Sequence, residues 1–186
     1  VEPNFYALEK GLKLRIKVLD GTKVVASATE TATVPMTVVL PVKNVKTWSP
    51  ESPFLYDLEY EVLNAQNHVV DKVKSYAGMR KVHIEGNRVF LNNRPLYLRM
   101  VLDQGFYPKG VWTAPTDADL KGDIERAMAV GFNSARLHQK VFEERFHYWA
   151  DKLGYLTWGE AASWGMDING TAAARNFITE WAEVVE

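Results

Sequence analysis

The chain has no cysteine among its 186 residues, which excludes disulfide staples and thiolate metal sites and fits a reducing compartment. It has no apolar run near the roughly 20 residues that span a bilayer, so no membrane partner is expected. An excess of either charge is missing too: 22 Lys and Arg face 23 Asp and Glu. Nucleic acid and anionic surfaces find no electrostatic support, and a neutral or small partner is expected. Neither a Gly-rich phosphate loop nor a nucleophile elbow is present. The start Val1-Glu2-Pro3-Asn4 lacks the features of a signal peptide, and with no initiator methionine the chain reads as part of a longer protein. The compartment stays open: cytoplasmic, or periplasmic or secreted if the longer protein carries a leader.

What is present is a large apolar fraction, 47%, with 12% aromatics, enough to bury the core of one large or two small domains. Leu12, Leu14, Ile16 and Val18 alternate with Lys13, Arg15 and Lys17 before Asp20-Gly21, and Tyr56, Leu58, Tyr60 and Val62 alternate with Asp57, Glu59 and Glu61. A period of two residues marks half-buried strands, with the acidic positions on a solvated face. Lys23–Thr29, Met36–Leu40 and Val69–Tyr76 add further strand candidates. Short strands at this spacing predict an antiparallel β-sandwich over residues 1–81.

After Tyr76 the pattern changes. Val82–Ile84 and Arg88–Leu91 flank Glu85-Gly86-Asn87 as a hairpin, and Leu96–Leu102 suits a buried strand. Thr116 with Asp119 forms a capping-box pattern, and Leu120, Ile124, Ala127 and Met128 follow as one helical face before Gly131. Phe142, Phe146, Trp149, Ala150 and Leu153 give a second face, ended by Gly154. Phe177, Ile178, Trp181 and Val185 give a third, after Asn169-Gly170-Thr171, which reads as a helix start rather than a glycosylation site. About three strand–helix units over residues 82–186 predict a parallel sheet, the first part of a (β/α)8 barrel truncated well short of eight units. Such a fragment has unpaired parallel edges, so self-association, or marginal stability of the isolated chain, is expected.

The string Trp48-Ser49-Pro50-Glu51-Ser52-Pro53-Phe54-Leu55-Tyr56-Asp57-Leu58, followed by Tyr76-Ala77-Gly78-Met79-Arg80-Lys81-Val82, resembles the middle immunoglobulin-like domain of glycoside hydrolase family 2, the β-galactosidases, β-glucuronidases and β-mannosidases. Phe90-Leu91-Asn92-Asn93-Arg94-Pro95-Leu96-Tyr97-Leu98-Arg99 is similar to that family's entry into its catalytic TIM barrel, and Gly131-Phe132-Asn133-Ser134-Ala135-Arg136 with Asp151-Lys152-Leu153-Gly154 continues it. The resemblance implies a retaining enzyme working on β-linked sugars through two carboxyl groups about 5–5.5 Å apart. It places the acid/base glutamate after an asparagine at the fourth barrel strand and the nucleophile at the seventh. Both positions fall beyond residue 186, so no catalytic residue is expected in this chain. Where the family's magnesium-dependent β-galactosidases carry a glutamate and a histidine, this chain has Trp164 and Met166, so neither a metal nor another cofactor is expected.

The residues expected to bind substrate or line the pocket are Asp103, Arg136, His138, Glu160 and Trp164. Arg136, at a strand end, has the geometry to hold a carboxylate ionised through paired hydrogen bonds, or to form a structural ion pair. His138 has a sugar hydroxyl or a carboxylate as its partner, or is a satisfied buried group. Asp103 either accepts from sugar hydroxyls or closes a loop turn. Glu160 matches an acidic pocket-lining position of the family. Trp164 and Trp112 sit in loops as apolar platforms for a pyranose ring, while Trp158 reads more readily as buried packing. The leading reading is a glycosidase fragment. The alternatives are a non-catalytic carbohydrate-binding or scaffold protein, and a purely structural β-module.

Overall fold

The two-residue alternation produces its strands. In this computed structural model, which describes residues 1–163, 167 and 169–185, β1 (Lys13–Asp20) turns at Gly21 into β2 (Lys23–Thr31). β3 (Tyr56–Leu63) and β4 (Val69–Ala77) complete an antiparallel sheet in the order β2-β1-β3-β4. The chain divides into two compact units: Val1–Ser49 with Phe54–Lys81, and Pro50–Pro53 with Val82–Glu186.

In the first unit one face of the sheet is apolar. Leu14 and Ile16 of β1 pack with Val38, Met36 and Leu40, and Val18, Tyr56 and Leu58 pack with Val42 and Phe54. The Met36–Leu40 segment was expected to be a strand and is not one. Pro35 and Pro41 bound it and lack the N–H groups that a ladder needs. Its backbone pairs with the chain start, Val38 N–H donating to the Val1 carbonyl at 2.8 Å and the Val1 amino group to the Val38 carbonyl at 2.9 Å. The sheet is therefore covered on this face by an extended segment, and the unit holds one named sheet among the described residues.

The opposite face is not simply solvated. Glu61 is only 5% exposed, enclosed by Arg15 at 2.6 Å, Lys17 at 3.1 Å and Lys72 at 3.3 Å. Burial pushes its carboxyl up, but the hydrogen bonds from Arg15, Lys17 and Lys72 outweigh that and hold it at about 2. The long stems of the basic residues cover the carboxylate while their charges pair with it.

The second unit opens with β5 (Val82–Glu85), β6 (Arg88–Leu91) and β7 (Arg94–Leu96), an antiparallel meander. Three strands and three helices then alternate: β8 (Met100–Asp103), α1 (Asp117–Ala129), β9 (Ser134–Leu137), α2 (Glu144–Leu153), β10 (Leu156–Gly159) and α3 (Thr171–Val185). The three strands form a parallel sheet in the order β10-β9-β8.

The expected single strand at Leu96–Leu102 is split between β7 and β8, and β8 is only partly buried. Asn133 takes the intervening backbone: its side-chain N–H donates to the Tyr97 carbonyl at 2.9 Å, and its side-chain oxygen accepts from Arg99 N–H at 2.8 Å. Arg99 Nε also donates to the Gly131 carbonyl at 2.7 Å. The Tyr97 carbonyl and the Arg99 backbone are thus satisfied by the Gly131–Asn133 turn instead of by a neighbouring strand.

Thr116 caps α1, its hydroxyl oxygen accepting from Asp119 N–H at 3.2 Å. α2 begins at Glu144, so Phe142 precedes the helix yet still enters the core beside Phe146. Gly154 closes α2 in the left-handed conformation, φ 82°. Leu120 and Ile124 of α1, Phe146 and Ala150 of α2, and Ala135 and Leu137 of β9 form one core. This layer fixes the strands whose ends carry the site. No helix among the described residues is long and apolar enough to cross a membrane.

Candidate functional site

Parallel register brings the strand ends together. Asp103, Leu137 and Gly159 are neighbours across β8, β9 and β10, so Gln104, His138 and Glu160 leave the sheet at the same edge. One layer earlier, Leu102, Arg136 and Trp158 align across the same three strands. Aligned residues of a parallel sheet share a face. Here that face is open, with Leu102 and Trp158 about half exposed. Trp158, which the sequence suggests as buried packing, is therefore an exposed ring beside Arg136.

Three of the expected residues converge. Arg136 Nε donates to Glu160 Oε1, and His138 Nδ1 lies 3.1 Å from Glu160 Oε2. The hydrogen bond from Arg136 is the main reason the Glu160 carboxyl is held below the ordinary carboxylate range; burial opposes it by less, and the hydrogen bond to His138 adds a smaller lowering. An ionised carboxylate engaged on both oxygens is a poor proton donor. The cluster suits orientation and hydrogen bonding rather than acid catalysis.

Asp103 does not join it through its side chain. Its Oδ1 accepts from Gly105 N–H at 2.8 Å, which closes a loop turn, while its backbone carbonyl accepts from His138 N–H at 2.7 Å. Burial raises the Asp103 carboxyl, with the Gly105 hydrogen bond working against it. Trp164 and Met166 lie outside the described residues. Among those described, no group of three or more His, Cys, Asp or Glu is placed to hold a metal ion.

Some contributors went unread in the sequence. Gln139, at φ 57°, donates from Nε2 to Ser163 Oγ at 3.0 Å and accepts from Ser163 N–H at 3.1 Å, bracing the chain beyond Glu160. Lys140 Nζ donates to the Trp112 carbonyl at 2.8 Å and the Gly105 carbonyl at 3.3 Å, tying down the loop after β8. A polar residue just past an apolar strand is the available signal, but the partners are 24 to 35 positions away.

The chain is similar in sequence and in fold to glycosidases. A β-galactosidase of Pseudoalteromonas haloplanktis is 28% identical over 152 residues, 78% of this chain and 14% of the relative. A Formosa agariphila protein described as a β-glucuronidase is 31% identical over 156 residues, 81% of this chain and 15% of the relative. Among solved structures, the Ruminococcus gnavus β-glucuronidase in complex with D-glucuronic acid superposes with a TM-score of 0.80 at 22% identity, over 93% of this chain and 29% of that one. At that identity the likeness speaks to the fold.

Residues 6–80 match the model of the glycosyl hydrolases family 2, as the resemblance read from the sequence implied. The chain spans about a seventh of the length of these curated relatives, 14% and 15%.

Proposed function

We propose that this chain is the middle immunoglobulin-like module and the first part of the catalytic barrel of a retaining hydrolase of β-linked glycosides. Arg136, His138 and Glu160 line its sugar pocket. The observation that carries the reading is the convergence of these three side chains at one edge of a parallel sheet, the end where βα architectures place their active sites. Glu160, held ionised by Arg136, serves as a fixed acceptor for sugar hydroxyls. Asp103 contributes by shaping the loop beside it.

The two reacting carboxyl groups lie downstream of residue 186 in this reading. The 186-residue protein alone then has no hydrolytic activity. The test is an assay of the purified chain on aryl β-galactosides and β-glucuronides. No release of the aryl group is expected; turnover that Glu160→Gln abolishes would overturn the reading. In the longer protein, an Asn-Glu pair ending the next barrel strand and a later strand-end glutamate are expected. A barrel with neither would make it a non-catalytic sugar binder.

A further inference from the structure

Phe106 and Trp112 are 61% and 55% exposed, although both sit on a loop that is firmly built. Their rings are nearly parallel, at 3°, with centroids 6.2 Å apart. Between them Tyr107 and Val111 exchange two backbone hydrogen bonds, 2.8 and 2.9 Å, and the Tyr107 ring is buried in the core of the unit. Lys140 ties both ends of the loop through the Gly105 and Trp112 carbonyls. Val111 holds φ 55°, a conformation β-branched residues avoid and retain only where the surroundings impose it. The loop therefore holds two large apolar rings largely in water.

These rings border a pocket of about 260 Å³ lined by Gln104, Phe106, Trp112, His138 and Gln139. That is below the usual range for whole drug-sized ligands and suits a single ring. Among the described residues the lining joins two apolar faces to amide and imidazole groups and carries no carboxylate, guanidinium or ammonium. Lys140, whose Nζ reaches the Trp112 carbonyl at the pocket's edge, is committed to the loop carbonyls and to Glu143 at 3.6 Å. His138 belongs both to this pocket and to the cluster with Glu160.

We infer that Phe106 and Trp112 form a subsite for a neutral pyranose ring, the second sugar of the substrate, next to the one held at Arg136, His138 and Glu160. The C–H face of the ring lies on the aromatic pair, and its hydroxyl rim meets Gln104, Gln139 and His138. A pyranose has this division of apolar face and polar edge, and an uncharged lining disfavours a uronate. The open position fits a second ring rather than the reacting one. This inference rests on the glycosidase reading given above.

The test follows the tryptophan indole and His138 ring signals of the 186-residue protein by NMR during titration with lactose, D-glucuronic acid and p-nitrophenol. Lactose is expected to move the Trp112 indole and the His138 ring, and D-glucuronic acid to leave Trp112 in place. Trp112→Ala and Phe106→Ala each raise the half-saturating lactose concentration at least fivefold, with thermal midpoints unchanged because both side chains are exposed. Trp112→Phe retains most of the affinity. Lactose that moves His138 but not Trp112 overturns the subsite and leaves the glycosidase reading standing; silence at both removes both. A Trp112 shift as large with p-nitrophenol as with lactose, or undiminished affinity in Trp112→Ala, also overturns the sugar subsite.

Discussion

Arg136 sets the state of Glu160, since its hydrogen bond is the largest influence holding that carboxyl down. Replacing it by alanine is expected to return the Glu160 titration toward the ordinary carboxylate range, read by carboxyl NMR across acid pH; an unmoved titration would remove Arg136 as the cause. Under the proposed function, the same change in a protein that also carries both reacting carboxyl groups is expected to cost about 100-fold in kcat/KM, because an oriented acceptor is lost. Glu61 makes a second residue-scale test. Its folded carboxyl is depressed from 4.5 to about 2, so its contribution is full above the unfolded value and disappears as pH falls from about 4.5 through 2. Glu61→Gln is expected to cost about 2 kcal/mol at neutral pH and to flatten the acid limb of stability, measured by urea unfolding at several pH values. Neither pairing is visible as a pattern in the sequence. Glu61 looks like any outward strand position, and it is the cross-strand register of Arg15 and Lys72 with it that encloses it.

At the scale of the elements, the ends of the helices are where local sequence and structure agree most closely. Thr116 accepts a backbone N–H that the helix leaves without an internal partner, and Thr116→Ala is expected to lower stability by about 1 kcal/mol, read from denaturant midpoints. Gly154 does more than stop α2. At φ 82°, an added Cβ would lie 2.4 Å from the Pro50 carbonyl oxygen, so neither the backbone nor the space admits a side chain. Gly154→Ala is expected to cost about 2 kcal/mol or more; a change in stability within experimental error would show that the turn relaxes freely. The strands were less evenly legible. Those of the first sheet announce themselves because one face is wet and one is dry. Met36–Leu40 has the same apolar character, but the prolines at its ends deny it a ladder. Leu96–Leu102 reads as one strand because nothing local reveals that Asn133, more than thirty residues on, claims its middle.

For the molecule as a whole, the parallel sheet of the second unit ends at β8 and β10 with no further strand among the described residues, and its face carries Leu102 and Trp158 in the open. Unpaired parallel edges beside exposed apolar side chains favour pairing with another copy. Sedimentation velocity over a range of concentrations is expected to show the 186-residue protein associating, and a strictly monomeric boundary would count against an adhesive edge. The sequence by itself determined the four strands of the first sheet, the change from two-residue to helical periodicity near Tyr76, the helix stops and the family resemblance, because each is written in contiguous residues. Only the tertiary structure decided that Arg136, His138 and Glu160 meet, that Asp103 turns to Gly105, that Trp158 faces water and that Phe106 stands beside Trp112. Those outcomes depend on strand register and loop bracing between residues far apart in the chain, and contacts of that kind leave no local pattern.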